Sequence, residues 1–268
     1  MIPNILSIAG SDPSGGAGIQ ADLKAIAATG GYGMAAITAL TAQNTRGVKG
    51  SALTDPGMVA AQIAAVREDI RIDAVKIGML GTAAIVEAVA RALEGLAAPV
   101  VLDPVMVAKG GDRLLAPEAV AALRDQLLPM ATVVTPNLPE AADLLDAPAA
   151  GSRAAMEAQA EALRARGPAA VLLKGGHLAG GESPDLLCDG AGRTWLEGAR
   201  HVTANTHGTG CTLSSALATE VGHGRPLAEA VARAKAYIGA AIARADDLSV
   251  GTGHGPVHHF YAFQERSA

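Results

Sequence analysis

Polar residues that could bind and transfer a phosphate group follow each short apolar run in the first two thirds of the sequence. They comprise glycines, one lysine, acidic residues and several amides, in segments 10–18, 43–44, 78–79, 103–104, 135–140 and 174–176. In an open parallel sheet, ligands bind outside the carboxyl ends of the strands. If the apolar runs are such strands, these residues share one edge, and their combination suits phosphoryl transfer.

The segment 206–212 (THGTGCT) is the most specific glycine-rich stretch, and it runs into an alanine-rich segment. Glycines at a helix start leave backbone N–H groups free, and the helix dipole adds positive potential there. Gly208, Thr209 and Gly210 are therefore predicted to form an anion hole for a transferred phosphoryl group. Cys211 follows directly, and a thiol at a helix start is expected to have a pKa below its ordinary value of about 8.5. The alternative for Cys211 is a small buried apolar residue.

Asp103, Asn137 and Glu140 are candidate Mg²⁺ ligands, because Mg²⁺ prefers oxygen ligands and retains water. Asn137 and Glu140 lie three apart at a predicted helix start, so they could equally form a capping pair, and the two roles are compatible. Lys174 follows an apolar strand, where burial would be costly without an anionic partner. It is therefore a candidate phosphate ligand. No acidic pattern near His258 and His259 favours a metal site there.

The loop 10–18 (GSDPSGGAG) leads from the first predicted strand into a helix. It lacks the lysine of a P-loop and the spacing of a dinucleotide-binding GxGxxG motif. It is therefore either a tight strand-to-helix turn or a place where the backbone closely approaches a small ligand. In the second case Asp22, one turn into the helix, would face that ligand.

The elements that must position these residues alternate along the chain. Apolar runs predict strands at 5–9, 34–40, 74–77, 100–102, 132–134 and 169–173, and amphipathic runs predict helices at 19–28, 57–69, 83–96, 117–127, 141–145 and 154–166. Near-continuous apolar strands separated by helices indicate a parallel sheet covered on both faces. A hairpin (185–189 and 194–197), two helices (211–221 and 227–245) and an irregular tail are predicted to follow. No linker interrupts the pattern, so residues 1–268 are interpreted as one α/β domain.

Composition disfavours several classes of protein. Half of the 268 residues are apolar but only 2 % are aromatic, so stacking platforms for single-stranded nucleic acid would be hard to build. A net charge of −5 gives no general attraction to nucleic acid or anionic lipid. The uncharged stretch 25–45 is too rich in glycine and amides for a membrane span. The two cysteines lack metal-binding spacing, and the N-terminus lacks the basic region of a signal peptide. Both features predict a cytoplasmic protein.

Seven motifs together resemble the hydroxymethylpyrimidine/phosphomethylpyrimidine kinases, which are thiamine-pathway enzymes of the ribokinase-like superfamily. They are AGSDPSGGAGIQADLK (9–24), TALTAQNT (38–45), KIGML (76–80), LDPVM (102–106), TPNLPE (135–140), LKGGH (173–177) and HGTGC (207–211). The resemblance implies a three-layer α/β/α sandwich with a mostly parallel central sheet, and a homodimer. It also implies two ATP-dependent phosphorylations, of 4-amino-5-hydroxymethyl-2-methylpyrimidine and then of its monophosphate.

Carried over position by position, the resemblance implies that Gln43 binds the aminopyrimidine edge and that Asp22 and Gly10 add polar contacts. The ring would be walled by Ala17, Thr41, Met79 and Val105. Mg²⁺ would be organised by Asp103, Glu140 and Asn137. Lys174 would contact the nucleotide phosphates, and residues 208–211 would form the anion hole. Cys211 stands where many sugar kinases of the superfamily have an aspartate base, which makes it a candidate catalytic residue. Lys174, at the nucleotide phosphates, is the second candidate catalytic residue.

Two other functions stay open. A pyridoxal kinase of the same superfamily acts on a similar flat ring with a hydroxymethyl group. A catalytically silent module could use the same pocket to sense a thiamine precursor. The presence of Asp103, Lys174 and Cys211 argues against that module, because ring binding alone needs none of them. The missing dinucleotide motif disfavours an NAD-dependent oxidoreductase.

Overall fold

The computed structural model describes residues 1–106 and 115–263. Its strands are β1 (Asn4–Ser11), β2 (Tyr32–Asn44), β3 (Gly47–Leu53), β4 (Ala74–Ile77), β5 (Val100–Leu102), β6 (Val133–Val134), β7 (Ala170–Lys174), β8 (Asp185–Asp189) and β9 (Gly192–Leu196). Its helices are α1 (Gly18–Ala28), α2 (Pro56–Asp69), α3 (Ala83–Leu93), α4 (Pro117–Ala122), α5 (Leu138–Leu145), α6 (Arg153–Arg164), α7 (Thr209–Gly222) and α8 (Leu227–Ala243). Short π and 3₁₀ turns follow α4, at Leu123–Leu127 and Leu128–Met130.

The described strands form one sheet in the order β3-β2-β1-β4-β5-β6-β7-β8-β9. Strands β2, β1, β4, β5, β6 and β7 pair in parallel, which confirms the predicted parallel sheet and brings their carboxyl ends to one edge. The predicted hairpin is present as β8–β9, and it adds an antiparallel edge to the sheet. Strand β3 was not predicted. It pairs antiparallel with β2, and five of its seven residues are exposed, so it lacks the apolar pattern that marks the other strands.

Helices cover both faces of the sheet, because neighbouring strand residues point to opposite faces. On β1, Leu6 and Ile8 pack with helices α2 to α6, whereas Ile5 packs with α1, α7 and α8. On β5, Leu102 packs on the side of α2 to α6, and Val101 packs on the side of α1, α7 and α8. The expected three-layer α/β/α sandwich is therefore confirmed. No helix in the described part of the chain is long and apolar enough to cross a membrane.

Helix α5 begins three residues before its predicted start, because Asn137 and Glu140 cap it. The Asn137 side chain accepts from the Glu140 N–H at 2.8 Å, and Glu140 Oε2 accepts from the Asn137 N–H at 2.8 Å. This reciprocal pair satisfies two N–H groups that a helix start would otherwise leave unpaired. The capping alternative is confirmed, and it fixes both side chains beside the carboxyl ends of β6 and β7.

Candidate active site

A cavity of about 1270 Å³ opens at the carboxyl edge of the sheet. Every residue that the sequence analysis placed in the site lines this cavity, except Asp22. They come from the loops after β1, β4, β5, β6 and β7, the end of β2, and the start of α7. The parallel sheet therefore brings together residues that lie up to about 200 positions apart in the chain.

One end of the cavity is suited to a flat polar ring. Met79 lies over Gly10, where a β-carbon would come within 2.7 Å of Met79 Cε, so only glycine leaves this wall in place. The Thr38 hydroxyl donates to the Met79 carbonyl at 2.6 Å and fixes the Met79 backbone. Thr41 and Gln43 lie two residues apart on β2 and line the same side. Ala17 and Val105 add apolar surface, so one amide faces a largely apolar slot.

Asp12 and His207 join the first glycine loop to the loop before α7, and the sequence analysis assigned neither a role. His207 Nε2 lies 2.8 Å from Asp12 Oδ2, and both side chains are buried. Asp12 also accepts from the Ser14 N–H at 2.9 Å, the Ser14 hydroxyl at 2.7 Å and the Ala17 N–H at 2.9 Å. Burial opposes ionisation of Asp12, but the hydrogen bonds from His207 and Ser14 lower its pKa. Asp12 is therefore an anion that holds both loops.

The loop before α7, which is predicted to form an anion hole, packs tightly against the first glycine loop. Gly208 caps the helix with φ of 74°, and a β-carbon there would lie 1.8 Å from the Gly16 carbonyl oxygen. Only glycine fits this contact and this backbone conformation. A β-carbon on Gly210 would lie 3.3 Å from Lys174 Nζ and 3.6 Å from Asp103 Oδ2. The start of α7 thus lies beside the cation and the carboxylate of the site, and the N–H group of its first residue, Thr209, donates to the Thr206 carbonyl at 3.3 Å.

Lys174 lies between two carboxylates at the centre of the cavity. Its Nζ is 3.1 Å from Asp103 Oδ1 and 3.9 Å from Glu140 Oε2. Burial opposes ionisation of Asp103, but Lys174 and Lys76 lower its pKa below the ordinary value. Burial raises the pKa of Glu140 to about 7, against the effect of Lys174. Burial also opposes the charge on Lys174, but Asp103 and Glu140 raise its pKa, so it remains a cation.

Asp22 lies below the floor of the cavity, which corrects the expectation that it faces a ligand. Its carboxylate accepts from Lys76 Nζ at 2.8 and 2.9 Å, from the Ser7 hydroxyl at 2.7 Å and from the Ser215 hydroxyl at 2.8 Å. Asp22 and Lys76 are fully buried. Four hydrogen bonds occupy the carboxylate, so it supports the floor rather than the ring. Lys76 itself lines the cavity and was not predicted as a site residue.

The thiol of Cys211 lies at the start of α7 as predicted, but its pKa shifts in the opposite direction. Burial raises the pKa of Cys211 to about 11, although Lys76 and the Gly18 N–H oppose this. The helix-start argument considered the dipole and omitted the cost of burying a thiolate. Cys211 is therefore a neutral thiol at pH 7 in the free protein.

The other end of the cavity passes between the β8–β9 hairpin and α8. Lys235 on α8 lines it and contacts Asp185 Oδ2 at 2.5 Å and the Ser183 carbonyl at 2.7 Å. Small residues of α8, Ala232, Ala236 and Gly239, leave room beside it. The sequence analysis did not predict this end, because its residues lie on elements that meet only in the folded chain.

The C-terminal segment (residues 251–259) ties the site loops to the rest of the fold. Its Gly255 carbonyl accepts from the His207 N–H at 3.0 Å, and the Thr45 carbonyl accepts from the His254 N–H at 2.7 Å. His259 Nε2 lies 3.0 Å from the Thr212 hydroxyl in α7. Burial lowers the pKa of His259 to about 4, so its ring is neutral. The segment is irregular, as predicted, but it packs against the anion-hole loop.

Comparison with known proteins agrees with this geometry. A family model described as phosphomethylpyrimidine kinase matches residues 12–258. The hydroxymethylpyrimidine/phosphomethylpyrimidine kinase of Salmonella typhimurium is 55% identical over 261 residues, which cover 97% of this chain and 98% of that protein. Among solved structures, an ADP complex of Bacillus subtilis pyridoxal kinase has a TM-score of 0.91 and 38% identity, covering 99% of this chain and 100% of that one. The phosphomethylpyrimidine kinase of Clostridium difficile has a TM-score of 0.80 and 41% identity, covering 90% and 100%. These matches confirm the resemblance found in the motifs, and the chain belongs to the phosphomethylpyrimidine kinase family.

Proposed function

We propose that this chain transfers the terminal phosphoryl group of ATP to the hydroxymethyl oxygen of 4-amino-5-hydroxymethyl-2-methylpyrimidine, and then a second phosphoryl group to the monophosphate. One observation carries the proposal: a single cavity has a ring-sized slot with the Gln43 amide at one end and Lys174 with the 208–210 loop beyond it. The relatives named hydroxymethylpyrimidine/phosphomethylpyrimidine kinase favour this function over pyridoxal phosphorylation and over a silent binding module.

Ring capture is the first step of the proposed reaction. An amide has a donor and an acceptor side by side, so Gln43 matches a ring nitrogen next to an exocyclic amine. Met79, Ala17 and Val105 would exclude water from the two ring faces. Gly10 lets Met79 approach, and Asp22 holds the floor through Lys76.

Charge stabilisation is the main task at the other end, because phosphoryl transfer needs mostly positioning and electrostatics. Lys174 would contact the transferred phosphate, and the N–H groups of Gly210 and Cys211 would bind its oxygens, whereas the Thr209 N–H already donates to the Thr206 carbonyl at 3.3 Å. Asp103 and Glu140 would hold Mg²⁺, because both offer carboxylate oxygens. The side-chain oxygen of Asn137 already accepts a hydrogen bond from the Glu140 N–H. The described residues hold no group of three His, Cys, Asp or Glu arranged for a metal, so water would complete the shell. A bound Mg²⁺, held by Asp103 and Glu140, would neutralise negative charge on the phosphates.

Cys211 is the candidate acceptor of the hydroxyl proton. Its pKa of about 11 means that the free protein holds almost no thiolate at pH 7. General-base catalysis by Cys211 therefore requires that Lys76 and the Gly18 N–H stabilise the thiolate once ligands fill the cavity. If they do not, the proton passes to the phosphate oxygens, and Cys211 serves the anion hole alone.

We also propose that residues 1–268 act as one kinase domain, that the chain forms a homodimer, and that it works in the cytoplasm, where ATP is supplied. Support for the dimer comes from the edge of the sheet, where Leu40, Leu53 and Met58 expose 56, 49 and 56 % of their surfaces. Exposed apolar side chains near an edge strand, whose outer side pairs with no other strand, are typical of protein interfaces.

Phosphorus NMR of products tests the proposed function directly. ATP, Mg²⁺ and the aminopyrimidine should give a monophosphate and then a diphosphate of the pyrimidine. Pyridoxal is the competing substrate, because solved relatives bind it. Phosphorylation of pyridoxal alone would replace the proposal with a pyridoxal kinase, and ring binding without ATP turnover would indicate a silent module.

A further inference from the structure

The side chain of Gln43 lies between two groups of opposite hydrogen-bonding character. Its amide oxygen is 3.2 Å from Thr41 Oγ1, and its amide nitrogen is 3.4 Å from His207 Nε2. Because the two ends of an amide have the same shape, its direction must follow from what its neighbours donate or accept.

The His207 nitrogen that faces Gln43 carries a hydrogen and offers no acceptor. Its Nε2 lies 2.8 Å from Asp12 Oδ2, and an ionised carboxylate can only accept. The three other contacts of Asp12 come from N–H and O–H donors, as expected for an anion. Nε2 of His207 therefore carries a hydrogen, which it donates to Asp12, and it has no lone pair to accept an amide N–H group. An amide oxygen facing it can share that hydrogen with Asp12, whereas an amide N–H group would place donor against donor.

Thr41 presents a lone pair to Gln43. A hydroxyl has one proton, and Thr41 Oγ1 lies 2.9 Å from the Ser11 carbonyl oxygen, which can only accept. That proton is committed to Ser11, so the side of Thr41 that faces Gln43 is an acceptor. An amide NH₂ satisfies it, and an amide oxygen does not.

We propose that His207 and Thr41 set the direction of the Gln43 amide, with its oxygen toward His207 and its NH₂ toward Thr41, and that this direction selects and orients the aminopyrimidine. The inference rests on the proposed function. One lone pair and one N–H of Gln43 then face the cavity in a fixed order. The exocyclic amine of the substrate is next to the carbon that bears the hydroxymethyl group, so this order decides on which side the reacting hydroxyl lies. Thr41 is thus a positioning residue as well as part of the wall.

The test compares Thr41→Val with Thr41→Ser. Valine keeps the shape and removes the acceptor, whereas serine keeps the hydroxyl. The readout is the ratio of kcat/KM for the aminopyrimidine to kcat/KM for the same ring without the amine, together with the KM for ATP. We expect the ratio to fall about tenfold or more in Thr41→Val and to stay within about twofold in Thr41→Ser, with the KM for ATP nearly unchanged. His207→Phe, which removes the other partner, should lower the same ratio and gives a second test if Thr41→Val does not fold.

The outcomes separate the two proposals. A wild-type chain that does not phosphorylate the pyrimidine overturns the proposed function, and this inference falls with it. An active wild type whose ratio is unchanged in Thr41→Val and His207→Phe overturns only the inference. An equal loss in Thr41→Ser overturns it as well, because the hydroxyl is retained there.

Discussion

Replacing Lys76 with methionine should destabilise the protein more than most single substitutions. The change removes the ammonium from a pair with Asp22 in which both side chains have no exposed surface. Methionine keeps most of the apolar stem, so packing changes little. What remains is a buried carboxylate that has lost two of its four hydrogen bonds and its counter-charge.

Removing one partner of a buried ion pair typically costs about 3–5 kcal/mol, because an uncompensated charge stays behind. The Ser7 and Ser215 hydroxyls still donate to Asp22, which places our expectation at the lower end, about 3 kcal/mol. The double substitution Lys76→Met with Asp22→Leu removes both charges and leaves two serine hydroxyls without their acceptor, at about 1 kcal/mol each. The double variant should therefore be more stable than Lys76→Met alone.

Urea unfolding followed by circular dichroism measures these free energies of unfolding. Arg91→Met is the matched control, because Arg91 and Glu87 form an exposed pair at 3.7 Å. Such a pair contributes no more than about 0.5 kcal/mol. If Lys76→Met costs no more than Arg91→Met, or if the double variant is the less stable of the two, the buried pair is not coupled as described.

Four further predictions concern the reaction. Gln43→Leu should weaken pyrimidine binding by about 1–3 kcal/mol and so raise the pyrimidine KM, because polar groups of the ring lose their partner. The KM for ATP should stay nearly constant. An unchanged pyrimidine KM would remove Gln43 from the ring site. Lys174→Ala should lower kcat by at least about tenfold at saturating ATP, and a change below about twofold would make the lysine structural. Cys211→Ser should lower kcat by about 100-fold or more if the thiol is the base. In a Cys188→Ala background, the alkylation rate of Cys211 should keep rising with pH up to about 10, because the pKa of Cys211 is about 11. A plateau of that rate below pH 8 would contradict this pKa. The Mg²⁺ concentration for half-maximal activity should fall as pH rises through about 7, because Glu140 ionises there. Glu140→Gln keeps the side-chain oxygen that caps α5, and it should abolish that pH dependence.

The cavity could be predicted from the sequence because its residues follow strands, and parallel strands end at one edge. Glycines, Lys174 and Asp103 are placed by that rule alone, before any tertiary contact is known. The capping pair Asn137 and Glu140 could be predicted as well, since it depends on a spacing of three residues within one helix start.

Residues whose role depends on contacts distant in sequence could not be predicted. Lys76 stands in a four-residue strand, and nothing in that strand indicates that Asp22, 54 residues away, lies against it. Asp12 and His207 are 195 residues apart. The pKa of Cys211 depends on burial, which a helix-start argument does not contain. Strand β3 lies at an exposed edge, where solvent rather than a core decides the side chains.

The C-terminal segment has a consequence for how the protein is made. The cavity needs the loop after β1, the loop before α7 and the Gly255 carbonyl that holds His207. The loop after β1 ends at residue 18, so translation supplies it more than 200 residues before Gly255. Domains fold during synthesis as their parts leave the ribosome, at about 5–20 residues per second. A nascent chain therefore carries the glycine loop long before the rest of the site exists, and the substrate can act as a folding ligand only after α8 and the C-terminal segment have emerged.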